Sequence, residues 1–281
     1  MKKILFIGTG GTIASELSDG ALSPALGAEQ LLHHVPEVSQ ICTVDAVQLF
    51  ALDSTNIAPH HWQQIAAAIR TRYDDYDGFV IAHGTDTMAD TAAALSYLIQ
   101  DSQKPIVITG AQRPIGFEST DSKQNLTDSF LCAACGQLAG VLIVFGGQVL
   151  LGSRARKTRS KSFSAFSSPN YPPLATVQSG RVIVYFSPAI GQTRFFDTLD
   201  PSVGLLKLTP GADPALLRFM LERYRAVVIE AFGVGGLPDA DGAFRRAVAQ
   251  AVQNGRTVAV TTQVASEGTD LSVYTVGSGL S

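Results

Sequence analysis

The stretch 78–98, with the sequence GFVIAHGTDTMADTAAALSYL, constrains the fold more than any other part of the chain. Its residues 79–82 form an uninterrupted apolar run, which predicts a buried strand. Gly84 then breaks the extended pattern. Apolar residues return at helical spacing in Met88, Ala92, Leu95 and Ile99. The stretch therefore predicts a strand, a tight turn and a helix.

Strands and helices alternate along the rest of the first 186 residues as well. Further strands are predicted at 4–7, 43–52, 106–109, 141–145 and 181–186. Further helices are predicted at 28–35, from Pro59 onward and after Asp121, which is predicted to cap that helix. This alternation indicates an α/β fold with a mostly parallel sheet and helices on both of its faces.

A second α/β pattern follows a stretch of looser composition. Its predicted strands are 203–208, 226–231 and 257–262, and its predicted helices are 213–224 and 241–254. We therefore expect a larger N-terminal α/β domain over 1–186, a linker over 187–202 and a smaller C-terminal α/β domain over 203–281.

The composition narrows the class of protein. With 46% hydrophobic and 16% charged residues the chain can bury a large core, and a net charge of −3 argues against general nucleic-acid binding. Three cysteines favour free thiols in a reducing compartment over a disulfide framework. The first apolar run ends at Gly8, which is too short for a signal peptide, and no run reaches the ~20 residues of a membrane span. We expect a cytoplasmic protein that does not enter a membrane.

Two familiar cofactor patterns are present only in part. The sequence GTGGTIA at 8–14 resembles the dinucleotide fingerprint, but Ile13 replaces its small residue and the polar stretch 15–24 does not predict a helix. Cys132 and Cys135 lack the second pair of ligands that a zinc site of this kind needs. We therefore predict no nucleotide cofactor and no metal, and we interpret both cysteines as small core residues.

Small polar residues follow the predicted strands at the edge of the sheet where ligands bind in such folds. They are Thr12, Asp53 with Ser54, Thr85 with Asp86, and Gln112 with the small residue Ala111, which offers only its backbone. Threonine and aspartate are also ordinary helix N-caps, so Thr85 and Asp86 have a purely structural interpretation too. As a group, these hydroxyls and carboxylates suit the binding of a small zwitterion or acyl transfer through a hydroxyl nucleophile.

A hydroxyl nucleophile needs a base, and the stretch 152–161 is rich in arginine and lysine. A solvated basic loop is its simplest interpretation, and no aromatic residues are interleaved as in a nucleic-acid patch. Alternatively, one lysine points inward and serves as a base. A nearby carboxylate would favour the charged lysine, so the residues alone leave the protonation state open.

Paired motifs carry a resemblance to a known family. The sequences TGGTIA at 9–14 and HGTDTM at 83–88 together resemble those of bacterial L-asparaginases. The resemblance continues through TGAQRP at 109–114, SPNY at 168–171 and GVGG at 233–236, and so covers nearly the whole chain. The segments LDSTN and YDDYDGF are similar to those of the cytoplasmic, type I branch.

The resemblance implies a role for individual residues. Thr12 corresponds to the nucleophile that forms a β-aspartyl ester and releases ammonia. Thr85, Asp86 and Lys157 correspond to a second set that assists proton transfer and the attack of water, with the Thr85 region as oxyanion site.

The resemblance also implies how L-asparagine is held. Ser54 would bind its α-carboxylate, Asp86 its α-amino group and the backbone of Ala111 its side-chain amide. Gly11 and Asp53 complete the predicted substrate-binding set. The N-terminal domain would be catalytic, and homodimers or homotetramers would place the sites at subunit contacts.

The chain departs from the family pattern in two places. Many members carry a tyrosine in the flap that follows the nucleophile, whereas residues 17–27 contain none. Similar members also continue beyond strand-like residues such as 272–276, so we expect the smaller domain to be truncated at Ser281.

Three functions fit these observations. The first is an amidohydrolase that acts on asparagine with weaker activity on glutamine, since one methylene is worth only about 1–3 kcal/mol of discrimination. The second is a non-catalytic amino-acid-binding or sensing protein on the same fold. The third is the amidase component of a tRNA-dependent amidotransferase, for which the sequence shows no tRNA-facing domain.

Overall fold

A computed structural model describes residues 1–18, 21–238 and 241–272. The chain divides into a larger unit over 1–199 and a smaller unit over 200–281. The predicted strand-like segment 272–276 lies, apart from Ser272, outside the described residues.

The helices and strands have the following bounds within the described residues. The helices are α1 (Ala28–His33), α2 (Pro59–Arg70), α3 (Met88–Leu98), α4 (Ser122–Ala134), α5 (Pro214–Arg223) and α6 (Ala243–Gln253). The strands of the larger unit are β1 (Lys3–Gly10), β2 (Ser15–Ser18), β3 (Ala21–Pro24), β4 (Thr43–Leu52), β5 (Gly78–Ala82), β6 (Ile99–Gln100), β7 (Pro105–Thr109), β8 (Gly140–Phe145), β9 (Gln148–Leu151), β10 (Arg156–Lys157), β11 (Phe166–Ser167), β12 (Ala175–Gln178), β13 (Arg181–Val184) and β14 (Arg194–Phe195). Those of the smaller unit are β15 (Val203–Lys207), β16 (Ala226–Ala231) and β17 (Thr257–Thr262).

The larger unit is built on an eight-stranded sheet with the order β13–β12–β9–β8–β7–β5–β1–β4. Five neighbouring strands of this sheet, β4, β1, β5, β7 and β8, are parallel to one another. Strands β9, β12 and β13 extend the sheet in antiparallel orientation. Every residue of β5 and β7 is buried, because helices cover both faces of the sheet. The predicted fold class is confirmed.

Each face of this sheet has its own apolar core. On one face, Leu126 and Phe130 of α4 pack against Phe6 and Val80. On the other, Ile65 of α2 and Leu95 of α3 pack against Ile81 and Ile108. Cys132 is buried, Cys135 is half-buried, and both are free thiols, in agreement with the core interpretation.

The antiparallel extension was not predicted. β8 and β9 pair as a hairpin whose two-residue turn is Gly146–Gly147, with Phe145 opposite Gln148. Both glycines have positive φ, 57° and 75°, as a type I′ hairpin turn requires. The Gly-Gly pair after the strand at 141–145 was therefore a usable hairpin signal.

One predicted element needs correction. Ile99 continues the helical spacing of Met88, Ala92 and Leu95 in the sequence, but α3 ends at Leu98 and Ile99 begins β6. β6 pairs with β14, and this pairing, together with the packing of Phe195 and Leu199 on the core, places 187–199 within the larger unit. Residues 187–199 thus belong to the larger unit, and the predicted linker 187–202 and the domain bounds stay predictions.

The smaller unit is a three-stranded parallel sheet with the order β15–β16–β17. Its core includes Leu206, Ile229 and, from α5 and α6, Leu217 and Phe244. The strands 226–231 and 257–262 have the bounds that the sequence predicted.

Candidate active site

The carboxyl ends of β1, β4, β5 and β7 lie side by side, because these strands are parallel neighbours. Their following turns carry the predicted polar residues. Close glycine packing joins three of the turns. A Cβ added to Gly11 would overlap the backbone of Gly84, and one added to Gly84 would lie 2.6 Å from the Oγ of Ser54. Only glycine permits this approach, so the glycines of the two motifs bring residues 12, 54 and 85 to one place.

Thr12 begins a short 3₁₀ turn, Thr12–Ala14, directly after Gly11. Gly10 and Gly11 both have positive φ, 101° and 81°, and the amide of Gly11 donates to the carbonyl of Leu52 at 2.9 Å. This turn leaves Thr12 half-buried while its neighbours Ile13 and Ala14 are buried. Thr12 is therefore one residue from the Gly11–Gly84 contact, and Thr85 is one residue from it on the other side.

Lys157 connects the turn after β5 with the basic stretch. Its Nζ donates to the Oγ1 of Thr85 at 2.8 Å and to the Oδ1 of Asp86 at 2.6 Å. The Lys157 side chain is only 17% exposed, whereas that of Asp86 is 58% exposed. Of the two interpretations of the stretch 152–161, the inward-pointing lysine is confirmed.

Ser54 supports the same turn from β4. Its buried Oγ accepts from the amide of Asp86 at 3.2 Å, and its carbonyl accepts from the Oγ1 of Thr87 at 2.8 Å. The N-cap of α3 is Thr87, and no side chain caps this helix. Thr85 and Asp86 therefore do not cap α3, and of the residues of this turn Thr87 occupies the N-cap position.

Asp53 lies beside Ser54 but has a local partner. Its exposed carboxylate accepts from the amide and the hydroxyl of Thr55, at 2.8 and 2.7 Å. These hydrogen bonds hold the pKa of Asp53 below its usual range. The structure thus gives Asp53 a capping role, and its substrate contact stays a prediction.

The turn after β7 contributes Ala111 and Gln112. Ala111 is buried. The Oε1 of Gln112 lies 3.5 Å from the Oγ1 of Thr85, and its Nε2 donates to the carbonyl of Ser162 at 3.1 Å. Gln112 therefore lies at the predicted edge of the sheet, and its contact with Thr85 adds a detail that the sequence did not predict.

The sequence also did not predict a buried chain of hydrogen bonds that runs behind the site from His83 to Trp62. His83 is fully buried, and its Nδ1 donates to the carbonyl of Gly84 at 2.7 Å. Its Nε2 therefore accepts from the Oγ1 of Thr91 at 3.0 Å, and Thr91 accepts from the Nε1 of Trp62 at 2.9 Å. Burial lowers the pKa of His83 to about 4, so the ring stays neutral and supports the Gly84 turn.

Asp121 was predicted as the cap of the helix after 121. It does occupy the N-cap position of α4, but its side chain makes no capping hydrogen bond. Its carboxylate instead accepts from the amides of Gln112 and Arg113. The local pattern identified the helix start, and the tertiary structure redirected the side chain.

Two other kinds of site are not found among the described residues. Within 1–18, 21–238 and 241–272 no group of three or more histidine, cysteine, aspartate or glutamate side chains is arranged to hold a metal ion. Over the same ranges no helix is long and apolar enough to cross a membrane.

The site therefore presents hydroxyls, an amine and a carboxylate at the carboxyl edge of a mostly parallel sheet. The fold and these groups are those of an α/β protein whose polar side chains suit chemistry through a hydroxyl. The chain belongs to the asparaginase family. The family description "Asparaginase, N-terminal" matches residues 3–190, and "Glutaminase/Asparaginase C-terminal domain" matches residues 202–281.

Individual relatives agree with this assignment. The L-asparaginase of Thermococcus kodakarensis is 36% identical over 278 residues, which are 98% of this chain and 84% of that protein. Its solved structure superposes with a TM-score of 0.91, covering 99% of this chain and 85% of the other. A component of the glutamyl-tRNA(Gln) amidotransferase of the same organism is 34% identical and matches 99% of this chain but 66% of its own length.

Proposed function

We propose that this protein is an amidohydrolase that converts L-asparagine to L-aspartate and ammonia through an acyl-enzyme on Thr12. One observation carries the proposal: Lys157 Nζ lies within hydrogen-bond distance of both Thr85 Oγ1 and Asp86 Oδ1, beside the Gly11–Gly84 contact that adjoins Thr12. The similarity to L-asparaginases supports the same activity, and weaker hydrolysis of glutamine belongs to the proposal.

The reaction would proceed in two steps. The Oγ1 of Thr12 attacks the side-chain amide carbon of asparagine. The hydroxyl proton of Thr12 passes to the amide nitrogen, which departs as ammonia, and Thr12 then carries a β-aspartyl ester. Water then attacks the carbonyl carbon of the ester, the bond to Thr12 Oγ1 breaks, Thr12 regains its proton and L-aspartate is released, with Thr85 and Lys157 assisting the proton transfers. Lysine must give up a proton before it can accept one, so Lys157 would cycle between charged and neutral forms.

Substrate recognition follows the same residues. Ser54 would hold the α-carboxylate and the backbone of Ala111 the side-chain amide, with Gly11 and Asp53 beside them. Asp86 is half in solvent, and the hydrogen bonds of the described residues leave its Oδ2 for the α-ammonium group. A homodimer or homotetramer and a cytoplasmic location remain predictions alongside these contacts.

The test is ammonia release from asparagine and glutamine, measured side by side over a concentration series. We expect Thr12→Ala to lower kcat for asparagine at least ~1000-fold, as removal of a nucleophile does. Thr71→Ala, an exposed threonine at the end of α2, is the matched control and should stay within about twofold of the parent.

Trapping provides a second readout. Acid-quenched enzyme should carry an aspartyl adduct on the peptide that contains Thr12. Undiminished turnover by Thr12→Ala would contradict the proposal. Saturable asparagine binding without any ammonia release would instead favour the sensing protein.

A further inference from the structure

The turn that presents Ala111 and Gln112 is held by the first residues of α4. We call Thr120, Asp121, Ser122 and Asn125 the α4 clamp. Both carboxylate oxygens of Asp121 accept from the amide of Gln112 at 3.0 Å, and Oδ1 also accepts from the amide of Arg113 at 3.2 Å. Asp121 thereby binds two successive amides of the turn.

The carbonyls of the turn are satisfied by the other members of the clamp. The Nδ2 of Asn125 donates to the carbonyl of Gly110 at 3.0 Å and to Asp121 Oδ2 at 3.1 Å. The carbonyl of Arg113 accepts from Ser122 Oγ at 2.5 Å and from Thr120 Oγ1 at 2.9 Å. The clamp thus accounts for the polar backbone groups at both ends of the turn.

Asn125 also connects the α4 clamp to the turn after β8. Its Oδ1 accepts from the amide of Gly146, in the turn after β8, at 2.9 Å. A Cβ on Gly146 would lie 2.9 Å from the carbonyl of Phe163, in the loop between β10 and β11. Asn125 therefore connects the turn of Gln112 with the region that carries Lys157.

Burial distinguishes the clamp from an ordinary helix start. Asp121 is 7% exposed and Asn125 is 1% exposed. A buried carboxylate is stable only when donors surround it, and here the donors are two amides of the turn and the Asn125 side chain, not the first amides of α4. The charge is thus used to hold the turn in place.

We propose that Asp121 and Asn125 are positioning residues for the reaction. They fix the Ala111 backbone and the Gln112 side chain relative to Thr85 and Lys157. This inference rests on the proposed function, because Ala111 is the expected contact of the substrate amide. It predicts that weakening the clamp lowers turnover while the fold persists.

The first experiment compares Asp121→Asn with Asp128→Asn. The side-chain amide of Asn at position 121 would turn an N–H toward one of the backbone donors and so weaken the α4 clamp. Asp128 is a buried carboxylate on the same helix whose Oδ1 accepts from Gln124 of that helix, so its substitution is the matched control. We expect kcat/KM for asparagine to fall about 10–100-fold in Asp121→Asn and less than about twofold in Asp128→Asn, at similar unfolding midpoints.

The second experiment uses Asn125→Asp and a pH profile. The ionised carboxylate would face the carbonyl of Gly110 and the carboxylate of Asp121, whereas its protonated form supplies one O–H donor in place of the amide. The activity of Asn125→Asp relative to the parent should therefore rise at least about threefold between pH 8 and pH 5.5. A residue with a purely structural role would change stability without this recovery.

Hydrogen exchange keeps the proposal testable if a variant does not fold. In the parent protein the amides of Gln112 and Arg113 should exchange much more slowly than those of the exposed residues 116–119. Equal exchange at both places would overturn the clamp, as would kcat/KM values of Asp121→Asn and Asn125→Asp that match Asp128→Asn. A parent protein that releases no ammonia refutes the proposed function, while the exchange result still decides whether the clamp exists.

Discussion

The strand-end turns of the two units share an architecture but differ in packing. In the larger unit, Gly11 and Gly84 meet backbone to backbone, and an added methyl group has no room. In the smaller unit, a Cβ on Gly235 would meet the flexible end of Leu271, and one on Gly236 would lie 3.5 Å from the carbonyl of Phe232. In both units the parallel strands end at one edge of the sheet. In the larger unit the close packing of glycines also brings the side chains that follow those strands near one another.

The polar groups at the two edges also have different partners. In the smaller unit Gln263 Nε2 donates to the carbonyls of Leu208 and Glu230, at 2.7 and 2.9 Å, so it ties backbone to backbone. In the larger unit Lys157 donates to the side chains of Thr85 and Asp86. The larger edge thus has polar side chains bonded to one another, whereas at the smaller edge Gln263 is bonded to backbone, and four substitutions test this comparison.

The largest effect is expected at Lys157. Lys157→Met keeps much of the apolar stem but removes the amine from Thr85 and Asp86, so kcat/KM for asparagine should fall at least ~1000-fold. Lys161→Met, an exposed lysine of the same basic stretch, is the control and should change it less than about twofold. Equal losses in both variants would mean that the stretch acts through its overall charge.

Packing is tested by Gly11→Ala. The methyl group would overlap Gly84 at a residue whose φ is 81°, so the free energy of unfolding should fall by about 3–4 kcal/mol. Gly236→Ala in the smaller unit should change it by less than about 1 kcal/mol. Chemical denaturation measures both, and similar values for the two glycines would break the comparison.

The third prediction concerns pH. All five histidines lie in the larger unit, and burial lowers the pKa of His83 to about 4, below its unfolded value. The folded state therefore disfavours the proton, so this contribution to stability is present above about pH 6.5 and is lost as the pH falls toward 4. The loss amounts to about 1–3 kcal/mol.

His83→Asn should flatten the fall in unfolding free energy between pH 6.5 and 4 while its amide still donates to Gly84. The variant is compared with His33→Asn, an exposed histidine of α1. A pH slope that is the same in both variants and the parent would show that His83 does not titrate with unfolding.

The smallest effect is expected at Gln263. Gln263→Ala removes the donor to two carbonyls of the smaller sheet and should cost about 1–2 kcal/mol of unfolding free energy. Gln253→Ala, at an exposed position at the end of α6, should stay within about 0.5 kcal/mol. A loss of ammonia release by folded Gln263→Ala would assign the smaller edge a role beyond structure.

Much of the fold was predictable because its signals are local. Apolar runs and turn glycines predicted β4, β16 and β17 with their observed bounds, and Pro59 at the first position of α2 marked the start of that helix. The β6–β14 pair was missed because two-residue strands carry no periodicity. It forms only through a partner 94 residues away, as the Arg194–Gln100 hydrogen bond shows.

The sequence by itself determined the order of the parallel strands and the helices, the glycine turns and, through the family motifs, the candidates Thr12, Thr85, Asp86 and Lys157. The tertiary structure showed how Lys157 enters the cluster while the other basic residues of the stretch stay exposed. Arg156 is exposed and Lys157 faces inward, because neighbouring residues of β10 point to opposite sides and the pairing with β11 orients them. The tertiary structure also decided that the Asp121 side chain binds the turn of Gln112 and does not cap its own helix, since a buried carboxylate bonds to the donors that the fold places beside it.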